Sequence, residues 1–313
     1  MNIKKIGLTA LAGALVSVSA NAAELSVTGG ASIGFSGEEQ TTKGNGWTMN
    51  EGVTFSASAE QDNGWNISVT QVLNSDDQAT NSVFDTRILT VDMGDTGVLT
   101  FAGTGGSSVL NAIDDVTPTA GEESWDDVTG ADAIPGGTGG LNMFHYSNSS
   151  LMDGVTVSAS YTPSDGATEV ESSSDYGIKY TGIDGLTIGA AAGEDNTAAA
   201  SIDITNLYAT YTMDAISVGY QTSEADSETA NLDKDFTAIG LSYAVSEDMS
   251  VSINSSTIEY ENATLSDQEA MGVSVSYTMG SMSVSANHNT IDNIAGIATA
   301  DRSGYALTLG FAF

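Results

Sequence analysis

Arg302-Ser303-Gly304-Tyr305-Ala306-Leu307-Thr308-Leu309-Gly310-Phe311-Ala312-Phe313 is the stretch whose reading decides the fold. Tyr305, Leu307, Leu309, Phe311 and Phe313 share one parity, and Gly304, Ala306, Thr308, Gly310 and Ala312 share the other. Successive side chains of a strand point to opposite faces, so this predicts one wholly apolar, aromatic face and one small, weakly polar face. A strand of a soluble sandwich could be written the same way, and the rest of the chain has to discriminate.

The alternation recurs upstream. Leu25 to Ser36 sets Leu25, Val27, Ala31, Ile33 and Phe35 against Ser26, Thr28, Ser32 and Ser36. Val53 to Glu60, Trp65 to Leu73, Val155 to Tyr161, Phe236 to Ser246, Met249 to Ile258, Met271 to Met279 and Met282 to His288 follow the same rule. Weaker forms run over Phe84 to Met93, Val98 to Gly103, Leu141 to Ser147, Asp175 to Tyr180, Leu186 to Ala192, Ile202 to Met213 and Ala215 to Thr222. With the last strand the total is about sixteen, an even number in the range of outer-membrane barrels.

The connections alternate as well. Long segments such as Gly37 to Gly46, Asn74 to Val83, Thr104 to Gly140 and Thr162 to Ser174 take turns with tight ones such as Asp62-Asn63-Gly64, Gly94-Asp95-Thr96-Gly97, Asp153-Gly154 and Gly280-Ser281. Asn-Gly, Asp-Gly and Gly-Ser pairs make hairpin turns because they tolerate positive φ. Long loops at one end and tight turns at the other predict an all-β, transmembrane, antiparallel up-and-down barrel with external loops and periplasmic turns. A soluble sandwich has no reason to sort its loops in this way, and no fixed repeat length supports a β-helix.

Lys4 and Lys5, the apolar run Ile6 to Ser19 and the small residues Ala20-Asn21-Ala22 have the three parts of a secretory signal peptide. Residues 1–22 are therefore expected to be removed, leaving residues 23–313 as one barrel domain exported through the periplasm. Cysteine is absent, which excludes a disulfide framework and thiolate metal sites. The formal charge of −34 falls to about −36 without Lys4 and Lys5. Only Lys43, Lys179, Lys234, Arg87 and Arg302 then remain as fixed positive charges, so nothing could neutralise the phosphates of a nucleic acid. Such acidity suits a surface or pore that attracts cations.

Together the closing strand with Phe313 and the run from Arg87 to Gly103, where a Gly-Asp-Thr-Gly turn and Val98-Leu99-Thr100-Phe101 lead into the longest loop, resemble the Gram-negative general porins, closest in style to those of alphaproteobacteria. The resemblance covers the architecture of the whole mature chain. It implies a homotrimer in the bacterial outer membrane, in contact with lipid and lipopolysaccharide, passing small hydrophilic solutes and ions by diffusion. It implies that Phe313 is an assembly signal read by the barrel assembly machinery. It also implies that the third external loop, here residues 104–140, folds into the lumen as a constriction.

That loop carries Asp114, Asp115, Glu122, Glu123, Asp126, Asp127 and Asp132. Carboxylates crowded in a narrow lumen concentrate cations and repel anions. Porins of this kind set such carboxylates against arginines on the wall, and Arg87 occupies the place of one. Its parity is that of Leu89, Val91 and Met93, so either a bulge turns it inward or it snorkels at the rim. The cost of about 2–4 kcal/mol for arginine facing lipid at mid-bilayer favours the lumen. Lys179 and Arg302 fall on inward parities, where they either line the pore or pair with loop carboxylates. A second wall arginine is replaced by Gly103 or Thr104, which argues for a stronger preference for cations.

Enzyme chemistry lacks an inventory. His145 and His288 are far apart in sequence, and neither G-x-S-x-G nor H-E-x-x-H occurs. No cofactor is implied. The pairs Asp76-Asp77, Asp114-Asp115 and Glu194-Asp195 could offer oxygen ligands to Ca²⁺, though without EF-hand spacing. From another class, a secreted acidic all-β surface or adhesion protein binding Ca²⁺ is the competing reading.

Overall fold

The computed structural model describes residues 24–39, 46–74, 84–137, 139–164, 171–196 and 201–313. The expected leader, residues 1–22, and the pair Asp76-Asp77 lie outside them. Sixteen strands form one closed barrel. In chain order they are β1 Glu24–Glu38, β2 Trp47–Glu60, β3 Asn66–Asn74, β4 Thr86–Asp92, β5 Val98–Thr104, β6 Met143–Met152, β7 Val155–Thr162 and β8 Ser173–Ile183. They continue as β9 Leu186–Asn196, β10 Ser201–Met213, β11 Ile216–Ser227, β12 Lys234–Ala244, β13 Met249–Tyr260, β14 Gln268–Met279, β15 Met282–Asp292 and β16 Arg302–Ala312. Each pairs antiparallel with its neighbours in sequence, and β16 returns to β1, so no strand is left with an unpaired edge.

Parity sorts the side chains as the sequence predicts. Tyr176, Ile178, Leu207, Tyr220, Ile239, Met271 and Val273 are exposed on the outer face, while Asn206, Gln221, Asn254 and Asn289 are buried on the inner one. An apolar exterior over a polar lumen is the solution for a barrel whose solvent outside is hydrocarbon.

β2 starts six residues earlier than its clear alternation, because Trp47 pairs with Phe35 and the ladder runs on from there. Glu51 breaks the sequence pattern in that stretch by standing on the outer face with Met49 and Val53. The closing seam extends one residue past β16. Gly29 N–H donates to the Phe313 carbonyl at 2.7 Å, and Phe313 N–H donates to the Gly29 carbonyl at 2.8 Å. A Cβ on Gly29 would stand 2.6 Å from the Phe313 ring, so glycine is what lets that ring lie over β1.

The strands are strongly tilted. Ala312, at the turn end of β16, is level in the ladder with Gly30, which is level with Gly52, which is level with Asn74 at the loop end of β3. A row of paired residues therefore climbs from the turn end towards the loop end as it passes from β16 to β3.

Candidate functional site

The long loop, residues 105–137, turns inside the barrel at once. Gly105 sits at φ 66°, and Gly106 is so close to the wall that a Cβ would stand 2.6 Å from both Ala102 and Met143, which are buried on the inner face. Gly106–Ser107 then pairs with Gly139–Gly140 to make a two-stranded neck.

From the neck the loop runs around the inner wall. Val109 N–H donates to Ser160 Oγ of β7 at 2.9 Å, and Leu110 N–H to Asp175 Oδ2 of β8 at 3.2 Å. The Gln221 amide of β11 donates to the Ile113 carbonyl at 2.6 Å. Ala120 N–H donates to Ser252 Oγ of β13 at 2.8 Å. The Asn289 amide of β15 donates to the carbonyls of Glu123 and Asp126, at 2.7 and 2.9 Å. Gln268 of β14 both donates to the Asp132 carbonyl and accepts from its N–H. These inward Ser, Asn and Gln residues read in sequence as a bland polar face, but they satisfy the backbone of a loop that would otherwise be buried with open donors and acceptors.

Three apolar contacts hold the loop as well. Val109 and Leu110 pack on Ala191, Ile204 and Ala225. Trp125 and Ile134 pack on Phe236, Ala238 and Ile258, with the Trp125 and Phe236 rings edge to face at 5.1 Å. Val128 packs on Ala270, Ile291 and Ile294. Ile204, Phe236, Ile258 and Ile291 are apolar residues on the inward parity. Sequence reasoning missed them as loop anchors, although being out of phase with their own strands was a usable signal.

The loop carboxylates fall into groups. Glu122, Glu123 and Asp126 bring their oxygens within 4.8 Å of one another, a spacing at which hard oxygens can share a cation such as Ca²⁺. Asp115 lies near enough to couple electrostatically with all three and with Asp114. Burial, then the charges of Asp115 and Asp126, pushes the Glu123 carboxyl up to about 8. Burial, followed by Asp115, raises Asp114 to about 6, and burial with Glu122 and Asp115 raises Asp126 to about 6. Asp115 is raised by burial, and Glu122 by burial together with Asp127 and Asp115. Among the described residues, every charge acting on these groups is another carboxylate. Asp127 accepts a hydrogen bond from the Asn287 side-chain amide, and its carbonyl abuts Gly304 so closely that no Cβ fits there.

Asp132 stands apart. Its Oδ2 accepts from Lys234 Nζ at 2.7 Å and from the Tyr260 hydroxyl at 2.9 Å, so it is an anchored ion pair and not part of the acidic group. Arg302 points inward and pairs with Glu38 of β1, while donating to the Thr129 carbonyl at 2.7 Å. Glu38 also accepts from the Thr129 backbone and hydroxyl, so the wall pair grips the loop backbone and leaves the loop carboxylates alone. Lys179 is on the inward parity of β8 and lines a cavity of about 320 Å³ with Val116, His145 and Tyr208. Glu194 is exposed at the loop end of β9 and accepts from Ser201 Oγ, and Phe313 is exposed at the closing seam.

Arg87 corrects the expectation that it lines the pore. The bulge that could have turned it inward lies on β5, where Gly103 is the extra residue between the partners of Arg87 and Ile88. The β4–β3 register is unbroken from Asp92 to Thr86. Arg87 therefore keeps the outward parity of Leu89 and is exposed there, beside Gln71.

A family model described as Gram-negative porin matches residues 7–260. No curated protein sequence matches. Among solved structures, an anion-selective porin from Comamonas acidovorans superposes with a TM-score of 0.73 at 11% identity, covering 93% of this chain and 100% of that one. OmpF of Salmonella typhi, in complex with daunomycin, gives 0.71 at 11% identity over 92% of this chain and 97% of that one. The trimer form of the outer-membrane protein OmpT of Vibrio cholerae gives 0.70 at 12% identity over 93% and 99%. At these identities the structural likeness speaks to the fold alone.

Proposed function

This chain belongs to the Gram-negative porins, channel proteins of the outer membrane, and from that premise we propose that its channel favours cations and passes small hydrophilic solutes by diffusion, without catalysis. One observation carries the preference. Asp114, Asp115, Glu122, Glu123 and Asp126 gather on a loop inside the lumen, and among the described residues no Lys or Arg acts on them. Lys234 is engaged with Asp132 and Arg302 with Glu38, and Lys179, which lines a cavity with Val116 of the loop, acts on none of the five.

The mechanism is electrostatic filtering. A cation crossing the level of the loop exchanges part of its hydration for a field from several carboxylates, whereas an anion meets repulsion from all of them. The loop is riveted to the wall, so the charges stay where ions must pass and do not swing out into the external medium. The anion-selective relative from Comamonas acidovorans shares the fold, so the sign of the preference must come from side chains of this kind and not from the barrel. By analogy with the trimer form of the Vibrio cholerae protein, the working unit is a homotrimer. Contact with lipopolysaccharide and delivery by the barrel assembly machinery through Phe313 belong to the same reading. The secreted Ca²⁺-binding adhesin is disfavoured by an exterior lined with exposed aromatic and aliphatic side chains.

The test is the reversal potential of the reconstituted channel in a salt gradient. Replacing the five carboxylates by their amides keeps shape and removes charge. The cation preference should collapse at low salt and differ less near 1 M, where screening shortens to about 3 Å. An unchanged reversal potential at low salt would sink the reading.

A further inference from the structure

We propose that the lumen holds a binding niche for small monocarboxylates with an apolar body, set between the inner wall of β6 to β10 and the inward loop, with Lys179 and Tyr208 taking the carboxylate. The niche is the cavity of about 320 Å³ that these two residues line. At about 30 Å³ per water its volume matches roughly ten waters, which is room for a solute the size of a substituted benzoate. The site goes beyond the cation preference and does not depend on it.

The ladder builds the polar side. Thr156 of β7, Lys179 of β8, Gly189 of β9 and Tyr208 of β10 stand level in one row. Gly189 leaves a gap in that row, and the Tyr208 ring lies across it, where a Cβ on residue 189 would collide with it. The Tyr208 hydroxyl is only 2.6 Å from the place of that Cβ. It is thereby carried over β9, one strand spacing of about 5 Å from the strand of Lys179. An ammonium and a hydroxyl brought together in this way suit the two oxygens of one carboxylate.

Neither group is answered within the protein. Tyr208 is 7% exposed, yet among the described residues its hydroxyl has no hydrogen-bond partner, where buried tyrosine hydroxyls normally find one. Lys179 is exposed to the lumen and forms no ion pair among the described residues. Lys234 and Arg302, by contrast, are each tied to a carboxylate.

The facing side is apolar. Val109 presses into the wall, where a Cβ on Gly177 would stand 2.5 Å from its Cγ1. The residues that follow it, Ala112, Ile113 and Val116, line the cavity from the loop side. They offer surface to a ring or a branched chain and no side-chain hydrogen bond. One ammonium answers one negative charge, and no second Lys or Arg lines the cavity, so dianions are disfavoured. A monoanion with an apolar body fits both sides. Such a solute would pause here beside a filter whose field otherwise turns anions away.

The experiment uses para-fluorobenzoate and the folded full chain in detergent, with binding read from broadening of the fluorine resonance. In planar bilayers the same probe should interrupt the KCl current. Lys179→Met should weaken binding about tenfold or more, Lys179→Arg should retain it, and Tyr208→Phe should weaken it about two- to tenfold. Acetate, which lacks the ring, should bind at least about tenfold more weakly. Heat-modifiable mobility of each variant confirms that the barrel is intact. Absence of binding to the wild type, or binding and interruptions that persist in Lys179→Met, would overturn the proposal. Acetate binding as well as para-fluorobenzoate would reduce the niche to a lone ammonium and overturn it too. Converting the five loop carboxylates to amides leaves Lys179 in place and should keep the binding, so the niche and the cation preference fail separately.

Discussion

Lowering the pH from 9 to 5 should erode the cation preference of the channel well above the usual carboxylate range. Three loop groups set the window. Glu123 is raised to about 8, and Asp114 and Asp126 to about 6. A raised value means that each holds its proton to higher pH, so all three are charged at pH 9 and largely neutral at pH 5. An ion passing about 8 Å from one carboxylate in water feels about 0.5 kcal/mol, cut to about 0.2 kcal/mol by screening at 0.15 M. Three such charges act with opposite sign on cations and anions, so their loss should lower the cation-to-anion permeability ratio roughly eightfold. Reversal potentials of single channels across a salt gradient, taken at half-unit steps, would trace the fall. Glu123→Gln should remove the upper part of the curve and leave the part near 6. A ratio flat from pH 9 to 5, falling only near 4, would mean that burial and crowding in the loop do not govern these groups.

Trp125→Ala should cost about 3–5 kcal/mol of loop anchoring by emptying the contact with Phe236 and Ile258, and is expected as excess current noise and protease cleavage inside residues 105–137; quiet, resistant channels would count against the anchoring role. Lys234→Met should strand Asp132 in the lumen, and a reversal potential shifted towards stronger cation preference would show it, whereas a shift the other way would contradict the pairing. Deleting Phe313 removes two backbone hydrogen bonds and one exposed ring, so the purified barrel should keep its heat-modifiable mobility while outer-membrane levels in cells drop; normal levels would refute an assembly role.

Much of the barrel was legible because hydrocarbon outside and water inside impose a period of two. β13 and β16 carry it cleanly, from Met249 to Asn254 and from Tyr305 to Phe313. It fades where a charge stands in the outward row or apolar bulk on the inner face. Glu51 interrupts the outward row of β2, which hid the first third of that strand. Phe236 and Ile258 put apolar bulk on the inner face, where they meet Trp125. The direction of Arg87 is not legible in sequence, because the bulge sits on the partner strand at Gly103 and leaves β4 unbroken. The acidic character of the loop was plain in sequence, but its division was not. Asp132 joins Lys234 across 102 positions, a pairing that no local pattern encodes.

The rivets that hold the loop also impose an order of events. Glu123 is held by a residue 166 positions downstream, and Thr129 by one 173 positions downstream that is itself paired to β1. None of these contacts can exist until the last two strands have arrived, and contacts between residues so remote in sequence form late and slowly. The filter should accordingly be the final part of the molecule to set. During refolding, a wide and weakly discriminating tube would precede the narrow one, and conductance would decrease in a second, slower phase after strand formation had finished.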